Sequence, residues 1–169
     1  MRLYLVRHGI AIDRTDPKCP SEAERHLTPE GIEKTERVAK GVAKLISSAD
    51  LLISSPHLRA VQTAEIFATA LGYAKEKIVR TEALLPGSDA AVLFRELAKQ
   101  KDAGDVFCFG HAPQLDEAVA LALGAKQLLT ALKKAGVACL ELERMSPPSG
   151  TLLWLCPPKI LRRCSGARR

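Results

Sequence analysis

The chain has 169 residues, 47% of them hydrophobic, a composition that suits one globular domain with a buried core and excludes a linker or a disordered chain. Five units of its formal net charge of +6 arise in residues 159–169, which carry five basic and no acidic side chains, and the rest holds 20 basic against 19 acidic residues. A near-neutral body with 4% aromatic residues argues against a nucleic-acid partner. We therefore expect a domain of residues 1–158 followed by a solvated basic tail, residues 159–169.

The cysteines and the N-terminal residues indicate the cellular compartment in which the protein is expected. Five cysteines are odd in number, widely spaced and without the paired spacing of a zinc site, which predicts reduced thiols, no metal centre and no cofactor. The apolar run at residues 3–6 is too short for a signal-peptide core or a membrane span. We therefore expect a cytoplasmic monomer that binds no membrane.

Apolar runs and helix-start patterns alternate along the first half of the chain. Thr28 followed by Pro29 is typical of a helix N-cap and first helical position, and Gly72 is typical of a helix end. The predicted elements are a strand at residues 3–6, a helix from Thr28 to about Ser47, a strand at 51–53, and a helix begun by Ser55-Pro56 and ended by Gly72.

The second half continues the alternation and then changes character, because a turn-rich segment at residues 146–150 separates two apolar runs. The predicted elements are a strand at 77–81, a helix from Asp89 to about Lys99, a strand at 106–109, a helix from Pro113 to near Gly124, and a closing hairpin of strands at 137–142 and 151–155. This order predicts an α/β fold of three layers, a mostly parallel central sheet with helices on both faces and an antiparallel element near the C-terminus.

Chemically distinctive residues follow three of the predicted strands. In open α/β sheets, ligands bind beyond the carboxyl ends of the strands, so residues at these positions are expected to meet. They are Arg7, His8 and Gly9 after the first strand, His57 and Arg59 after the second, and His111 after the fourth. Two arginines with two or three histidines at one sheet edge suit a dianion such as phosphate.

The same residues carry a resemblance to a known family. Arg7-His8-Gly9, then Ser54-Ser55-Pro56-x-x-Arg59-Ala60-x-Gln62-Thr63-Ala64, then Gly110-His111 occur in the order found in the histidine phosphatase superfamily, which includes phosphoglycerate mutases. The short length, residues 27–31 and the closing strands resemble the SixA-type phosphohistidine phosphatases most. The resemblance covers nearly the whole chain and implies a phosphoglycerate mutase-like fold, with His8 as nucleophile, Arg7 and Arg59 as phosphate ligands, and His111 completing the pocket.

The chemistry of these residue types agrees with the resemblance. A neutral imidazole can attack phosphorus through one ring nitrogen if the other donates its proton to a fixed acceptor, such as a backbone carbonyl near Gly9. Arginine forks match the equatorial oxygens of a transferring phosphoryl group, and His111 adds a donor if it is protonated. Gly9 is expected to allow close approach to the substrate.

Two further positions are less determined. His57 either borders the pocket and binds substrate or only occupies the first turn of its helix. Arg25 and His26 lie in a polar run before Thr28, for which a solvated loop is favoured, although such loops can also line the mouth of a site.

The substrate class depends on whether the protein supplies an acid. Superfamily members that cleave phosphate esters place a carboxylate after the third strand, where this chain offers Glu82 and Asp89, and Asp89 is equally well explained as a helix cap. An alkoxide leaving group needs protonation far more than an imidazole does.

Three functions are compared on this basis. The sequence favours a phosphatase acting on a phosphohistidine-bearing signalling or phosphotransfer protein. The alternative is a phosphatase for a small phosphorylated metabolite with Glu82 or Asp89 as acid. A silent phosphate-binding module is least favoured, because His8, both arginines and His111 are all present.

Overall fold

The apolar runs form one six-stranded sheet. The computed structural model describes residues 1–46, 48–100 and 102–166. The strands are β1 (Arg2–Arg7), β2 (Leu51–Ser54), β3 (Val79–Arg80), β4 (Asp105–Gly110), β5 (Val137–Met145) and β6 (Pro148–Cys156). Their order in the sheet is β3-β2-β4-β1-β5-β6, in which the first four run parallel and β5 and β6 are antiparallel.

Helices cover both faces of this sheet. They are α1 (Pro29–Ala43), α2 (Leu58–Leu71), α3 (Ala90–Leu97), α4 (Gln114–Ala122) and α5 (Pro158–Gly166). Because side chains alternate along a strand, Leu3 and Leu5 pack in the core under α3 and α4, whereas Tyr4 and Val6 pack under α1, α2 and α5. The predicted three-layer α/β fold is confirmed. Within the described ranges, no helix is both long and apolar enough to cross a bilayer.

Thr28, Asp89 and Gly72 act as the helix-start and helix-end residues that the sequence predicts. The Thr28 hydroxyl accepts a hydrogen bond from the Gly31 N–H at 3.0 Å, and the Asp89 carboxylate accepts one from the Ala91 N–H at 2.8 Å. Gly72 ends α2 with a φ of 67°, a conformation that side-chain-bearing residues rarely adopt. These caps fix where α1, α2 and α3 begin or end relative to the sheet.

Three predicted boundaries are wrong. The second helix begins at Leu58 with His57 at its N-cap rather than at Ser55-Pro56, because the Ser55 N–H still bonds to Phe109 of the neighbouring strand. The first helix ends at Ala43 rather than near Ser47, because the N–H groups of Leu45 and Ile46 both bond to Val42 and the chain leaves the helix there; Ser47 lies outside the described residues. The third strand is only Val79–Arg80, because it is an edge strand that pairs with β2 alone over two residues.

The closing hairpin is longer than predicted. β5 continues to Met145 and β6 begins at Pro148, so most of the turn-rich segment at 146–150 lies in a strand. Antiparallel pairing continues through this segment with two register shifts, after Cys139 and after Leu142. Pairing with a neighbouring strand therefore outweighs the turn preference of the local sequence.

The segment predicted as a solvated basic tail forms a helix over most of its length. In α5, the Leu161 side chain is fully buried in the core under α1, so the prediction is wrong for residues 159–166; residues 167–169 lie outside the described residues. Contact between the helices is close, because a Cβ at Gly41 of α1 would overlap the backbone carbonyl of Leu161. α5 is thereby held in a fixed position.

This packing gives a testable expectation for stability. Gly→Ala inside a helix normally stabilises by about 1 kcal/mol, but Gly41→Ala should lower the free energy of unfolding by about 1–3 kcal/mol because the added methyl has no room. Chemical denaturation would measure it. Gly166→Ala is the matched control, since no atom lies near its Cβ position. A Gly41→Ala protein as stable as wild type would show that α5 does not pack as described.

Candidate active site

The carboxyl ends of three adjacent parallel strands bring the predicted residues together. β1 is paired with β4 so that Arg7 lies opposite Gly110, and the N–H of His8 donates to the Gly110 carbonyl at 3.0 Å. On the other side of β4, the N–H of Ser55 donates to the Phe109 carbonyl at 2.9 Å. The residues that follow these strands therefore share one edge of the sheet.

His8 is held as a neutral imidazole with one nitrogen directed into the site. The side chain is 7% exposed, and its Nδ1–H donates to the Gly9 carbonyl at 2.7 Å, as the sequence predicted. Nε2 consequently keeps its lone pair, which accepts a hydrogen bond from Arg59 Nε at 3.3 Å. Burial, together with the charges of Arg59 and Arg7, lowers the pKa of His8 to about 3, so the ring is uncharged near neutral pH. Such a nitrogen can attack phosphorus.

Gly9 supports His8 from behind. Besides accepting the hydrogen bond from His8 Nδ1–H through its carbonyl, Gly9 donates its own N–H to Thr63 Oγ1 at 3.0 Å. A Cβ at Gly9 would overlap the hydroxyl of Thr35. Gly9 is not among the residues that line the pocket described below. Close packing against α1 requires a glycine here, and its carbonyl fixes the His8 tautomer; contact between Gly9 and the substrate stays a prediction.

Arg59 connects the two histidines with the loop that precedes α1. Its side chain is 2% exposed and donates from Nε to His8 and from Nη2 to His111 Nδ1 at 3.2 Å. On the loop side, Nη1 donates to the Glu22 carbonyl at 2.8 Å and Nη2 to the Glu22 carboxylate at 2.7 Å. The guanidinium is thus fixed beside the nucleophilic nitrogen.

His111 is neutral and acts as an acceptor toward Arg59. Because Nδ1 accepts from Arg59, the ring proton lies on Nε2, which donates to Ser55 Oγ at 3.0 Å. Burial, together with the charge of Arg59, lowers the pKa of His111 to about 2. The protonated donor considered in the sequence is therefore not present in this state. His57 packs edge-on against His111, with ring centroids 5.3 Å apart, and is not among the pocket-lining residues.

Arg7 is anchored at one end and unsatisfied at another. Its Nη1 donates to the Leu132 carbonyl at 2.7 Å, and the Leu132 N–H in turn donates to the buried Asp116 carboxylate at 2.9 Å. Arg7 Nε is buried without a hydrogen-bond partner. An unpaired buried donor costs about 1–3 kcal/mol, so an acceptor such as a phosphate oxygen entering the site would be stabilised here.

These side chains border a pocket of about 320 Å³ with an excess of positive charge. Five of its lining residues are arginine or lysine and one is a carboxylate, which suits a dianion. The lining residues are Arg7, His8, Asp13, Arg14, Arg25, Arg59, Pro86, His111, Ala112 and Lys134. Among the described residues, no group of three or more His, Cys, Asp or Glu side chains is placed to hold a metal ion.

Sequence reasoning missed Glu22, and for Arg25 the structure supports the less favoured alternative, a loop that lines the site. The carboxylate of Glu22 forms ion pairs with Arg14 at 3.0 Å, Arg25 at 3.2 Å and Arg59 at 2.7 Å. Burial raises the pKa of Glu22, but hydrogen bonds from Arg14 and Arg25 and the charge of Arg59 outweigh it and lower the pKa to about 2. The segment assigned to a solvated loop therefore forms one wall of the pocket. The sequence signal that could have indicated these ion pairs is the alternation of acidic and basic residues between the first strand and the first helix.

The two carboxylates considered as general acids lie outside the pocket. Glu82 and Asp89 are exposed, and neither is among the pocket-lining residues. Asp89 instead caps α3. From the segment after β3, Pro86 lines the pocket. The structure thus places no predicted acid beside the nucleophile.

Comparison with known proteins agrees with this site. The family model described as histidine phosphatase superfamily (branch 1) matches residues 3–85, the part of the chain that contains Arg7, His8 and Arg59. A protein of Picosynechococcus sp. strain PCC 7002 is 37% identical over 141 residues, which are 81% of this chain and 82% of that protein. The chain belongs to the histidine phosphatase superfamily. This confirms the family inferred from the sequence.

Solved structures share the fold of this histidine phosphatase superfamily member. The protein histidine phosphatase SixA, complexed with tungstate, superposes with a TM-score of 0.83 and 23% identity, covering 95% of this chain and 99% of that one. A phosphoserine phosphatase of Entamoeba histolytica superposes with a TM-score of 0.71 and 17% identity, covering 94% and 98%. At these identities the likeness establishes the phosphoglycerate mutase-like fold.

The two tautomers in this histidine phosphatase superfamily site can be observed directly. In long-range ¹H–¹⁵N spectra at pH 6, we expect His8 as the neutral Nδ1–H form and His111 as the neutral Nε2–H form, because their partners are a carbonyl and an arginine donor respectively. Since burial lowers both pKa values far below 6.5, neither ring should take up a proton between pH 7 and 5. A His8 signal that titrates near pH 6.5 would contradict the described burial and hydrogen bonding.

Proposed function

We propose that this phosphatase removes the phosphoryl group of a phosphohistidine on a signalling or phosphotransfer protein, through a covalent intermediate on His8. The observation that carries the proposal is that, among the residues the structure describes, no acid beside His8 is both placed and protonated to serve a poor leaving group. Asp13 is the one carboxylate among the lining residues, Glu22 is paired with Arg59 next to them, and hydrogen bonds lower the pKa of both. Both are ionised at neutral pH, and an ionised carboxylate cannot donate a proton.

The proposed reaction has two displacements at phosphorus. His8 Nε2 attacks the phosphoryl group, the bond from phosphorus to the substrate imidazole breaks, and that imidazole leaves neutral because its other nitrogen carries a proton. Water then attacks phosphorus and the bond to Nε2 breaks. His8 is released as the neutral Nδ1–H imidazole, and inorganic phosphate departs as H2PO4⁻ with the oxygen and both hydrogens of the water. Arg7 and Arg59 compensate charge on the equatorial oxygens in both steps.

The substrate preference follows from the leaving group. General acid catalysis typically contributes about 10²–10⁴-fold, so a site without an acid disadvantages alkyl phosphate esters much more than phosphoramidates. The fold likeness to a protein histidine phosphatase supports the proposal. The fold is also shared with a phosphoserine phosphatase, so a small phosphate ester is the competing substrate class.

A leaving-group series tests the proposal. The purified protein would be offered a phosphohistidine protein, free phosphohistidine, an aryl phosphate with an acidic phenol, and alkyl esters such as phosphoserine. We expect phosphohistidine and the activated aryl ester to be hydrolysed at least about 10²-fold faster than alkyl esters. An alkyl ester turned over as fast as the phosphohistidine protein would overturn the proposal in favour of a metabolite phosphatase.

Substitution of Glu82 and Asp89 provides a second test of whether the enzyme uses a general acid. Asp89→Asn and Glu82→Gln should each leave phosphohistidine hydrolysis within a few-fold of wild type, because both side chains lie outside the pocket. Steady-state rates with the phosphohistidine protein would measure this. A loss of more than about a hundredfold in either variant, within the range expected of a general acid, would put the metabolite-ester function ahead.

The proposal also includes the cellular compartment, the oligomeric state and the partner of the protein. Five free cysteines, two of them buried, suit a reducing compartment, and we place the protein in the cytoplasm. We propose that it acts as a monomer whose partner is the phosphorylated protein rather than nucleic acid or membrane.

A further inference from the structure

A second basic cavity lies next to the catalytic pocket. It has a volume of about 340 Å³ and lies between the first turns of α1, the loop before β5 and the first turns of α5. Its charged lining residues are all basic: Lys34, Lys133, Lys134 and Arg162. Lys134 lines both cavities, so the positive surface is continuous from this basic cleft to the nucleophile.

Most of this charge is not held in ion pairs. Lys34 forms an ion pair with Glu30. Glu30 is also an acidic neighbour of Arg162, and Asp13 is one of Lys134, but within the described part of the chain no carboxylate lies at ion-pair distance from Lys133, Lys134 or Arg162. Like charges held together raise the local positive potential, and an anionic partner lowers the free energy of such a cluster.

The cleft has a fixed position relative to His8. The N–H of Ala135 donates to the carbonyl of His8 at 3.1 Å, and the N–H of Gly136 donates to the carbonyl of Lys133 at 2.7 Å, so the lysine loop is tied to the nucleophile's backbone. Arg162 follows the fully buried Leu161 in α5. A ligand that occupies both cavities would therefore have to present its two binding groups at a fixed distance from each other.

We propose that the basic cleft docks acidic side chains on the surface of the phosphorylated protein substrate while its phosphohistidine enters the catalytic pocket. This inference rests on the proposed function and names the partner's recognition feature. A protein surface presents carboxylates at a distance from the phosphohistidine, as two adjoining cavities require. Charge complementarity of this kind acts mainly on encounter with the partner and on choice between partners.

The test uses charge reversal outside the catalytic pocket. The double variant Lys133→Glu, Arg162→Glu should raise KM for a phosphohistidine protein about tenfold or more at low salt, with kcat within twofold. KM for free phosphohistidine should stay within twofold, because neither side chain lines the catalytic pocket. The difference from wild type should shrink as ionic strength rises. The control Lys75→Glu, Lys126→Glu makes the same charge change at exposed positions elsewhere and should leave both KM values near wild type.

The outcomes separate the two proposals. An unchanged KM for the protein substrate, or an equal rise with the control, would overturn docking while leaving the proposed function in place. Equal losses on free phosphohistidine would assign these residues to the catalytic site instead and would also overturn docking. A wild-type protein that hydrolyses no phosphohistidine protein would overturn the proposed function and the docking inference together.

Discussion

Replacement of His8 by alanine should lower phosphatase turnover by about 10⁴-fold or more, as loss of a nucleophile typically does. The side chain supplies the attacking Nε2, and no other described imidazole in this pocket donates its ring N–H to a backbone carbonyl. The fold should be retained, because the strand-end hydrogen bond to Gly110 uses the backbone of residue 8. Turnover of the phosphohistidine protein, with circular dichroism and thermal unfolding on the same sample, would measure both effects.

The matched control for His8 is His26→Ala. His26 is an exposed histidine in the loop before α1 and is not among the pocket-lining residues, so its loss should cost no more than a few-fold. If the folded His8→Ala protein kept substantial turnover, the covalent route through this residue would be wrong.

Arg59→Ala should reduce kcat/KM by about 10²–10³-fold, the typical cost of losing one preorganised donor to a developing charge. The buried guanidinium places two donors beside the nucleophile and also holds Glu22, so alanine removes a phosphate ligand and loosens one wall of the pocket. Arg59→Lys should recover only part of the loss, because an ammonium group cannot span His8, His111 and Glu22 at once.

Kinetics with the phosphohistidine protein and inhibition by tungstate would test the role of Arg59. Both turnover and tungstate affinity should fall, because the same donors bind either anion. Arg95→Ala is the control, since Arg95 is exposed on α3 away from the pocket. An Arg59→Ala protein within a few-fold of wild type would mean that Arg59 serves the loop rather than the phosphoryl group.

The parts of the site that could be predicted are those tied to strand order. Once residues 3–6, 51–53 and 106–109 are assigned to strands of one parallel sheet, Arg7, His8 and His111 must lie at one edge. Arg59 follows because it lies in the first turn of the helix after β2. These assignments need only periodicity and helix-start residues, which are local properties of the sequence.

The parts that could not be predicted depend on tertiary contacts. Glu22 reaches Arg59 because the long loop before α1 folds back over the pocket, and no period in the sequence encodes that path. α5 carries a single fully buried residue, Leu161, so composition alone describes it as a solvated basic segment. The protonation of His111 likewise follows from burial beside Arg59, which residue type does not reveal.

The covalent intermediate tests the central claim most directly. The wild-type enzyme would be mixed with a ³²P-labelled phosphohistidine protein, quenched in alkali during turnover, and digested for peptide mapping. The account predicts an acid-labile, alkali-stable phosphate on the peptide that contains His8, and its absence from His8→Ala. Phosphate found on a cysteine or serine peptide, or turnover that never labels the His8 peptide, would contradict the account.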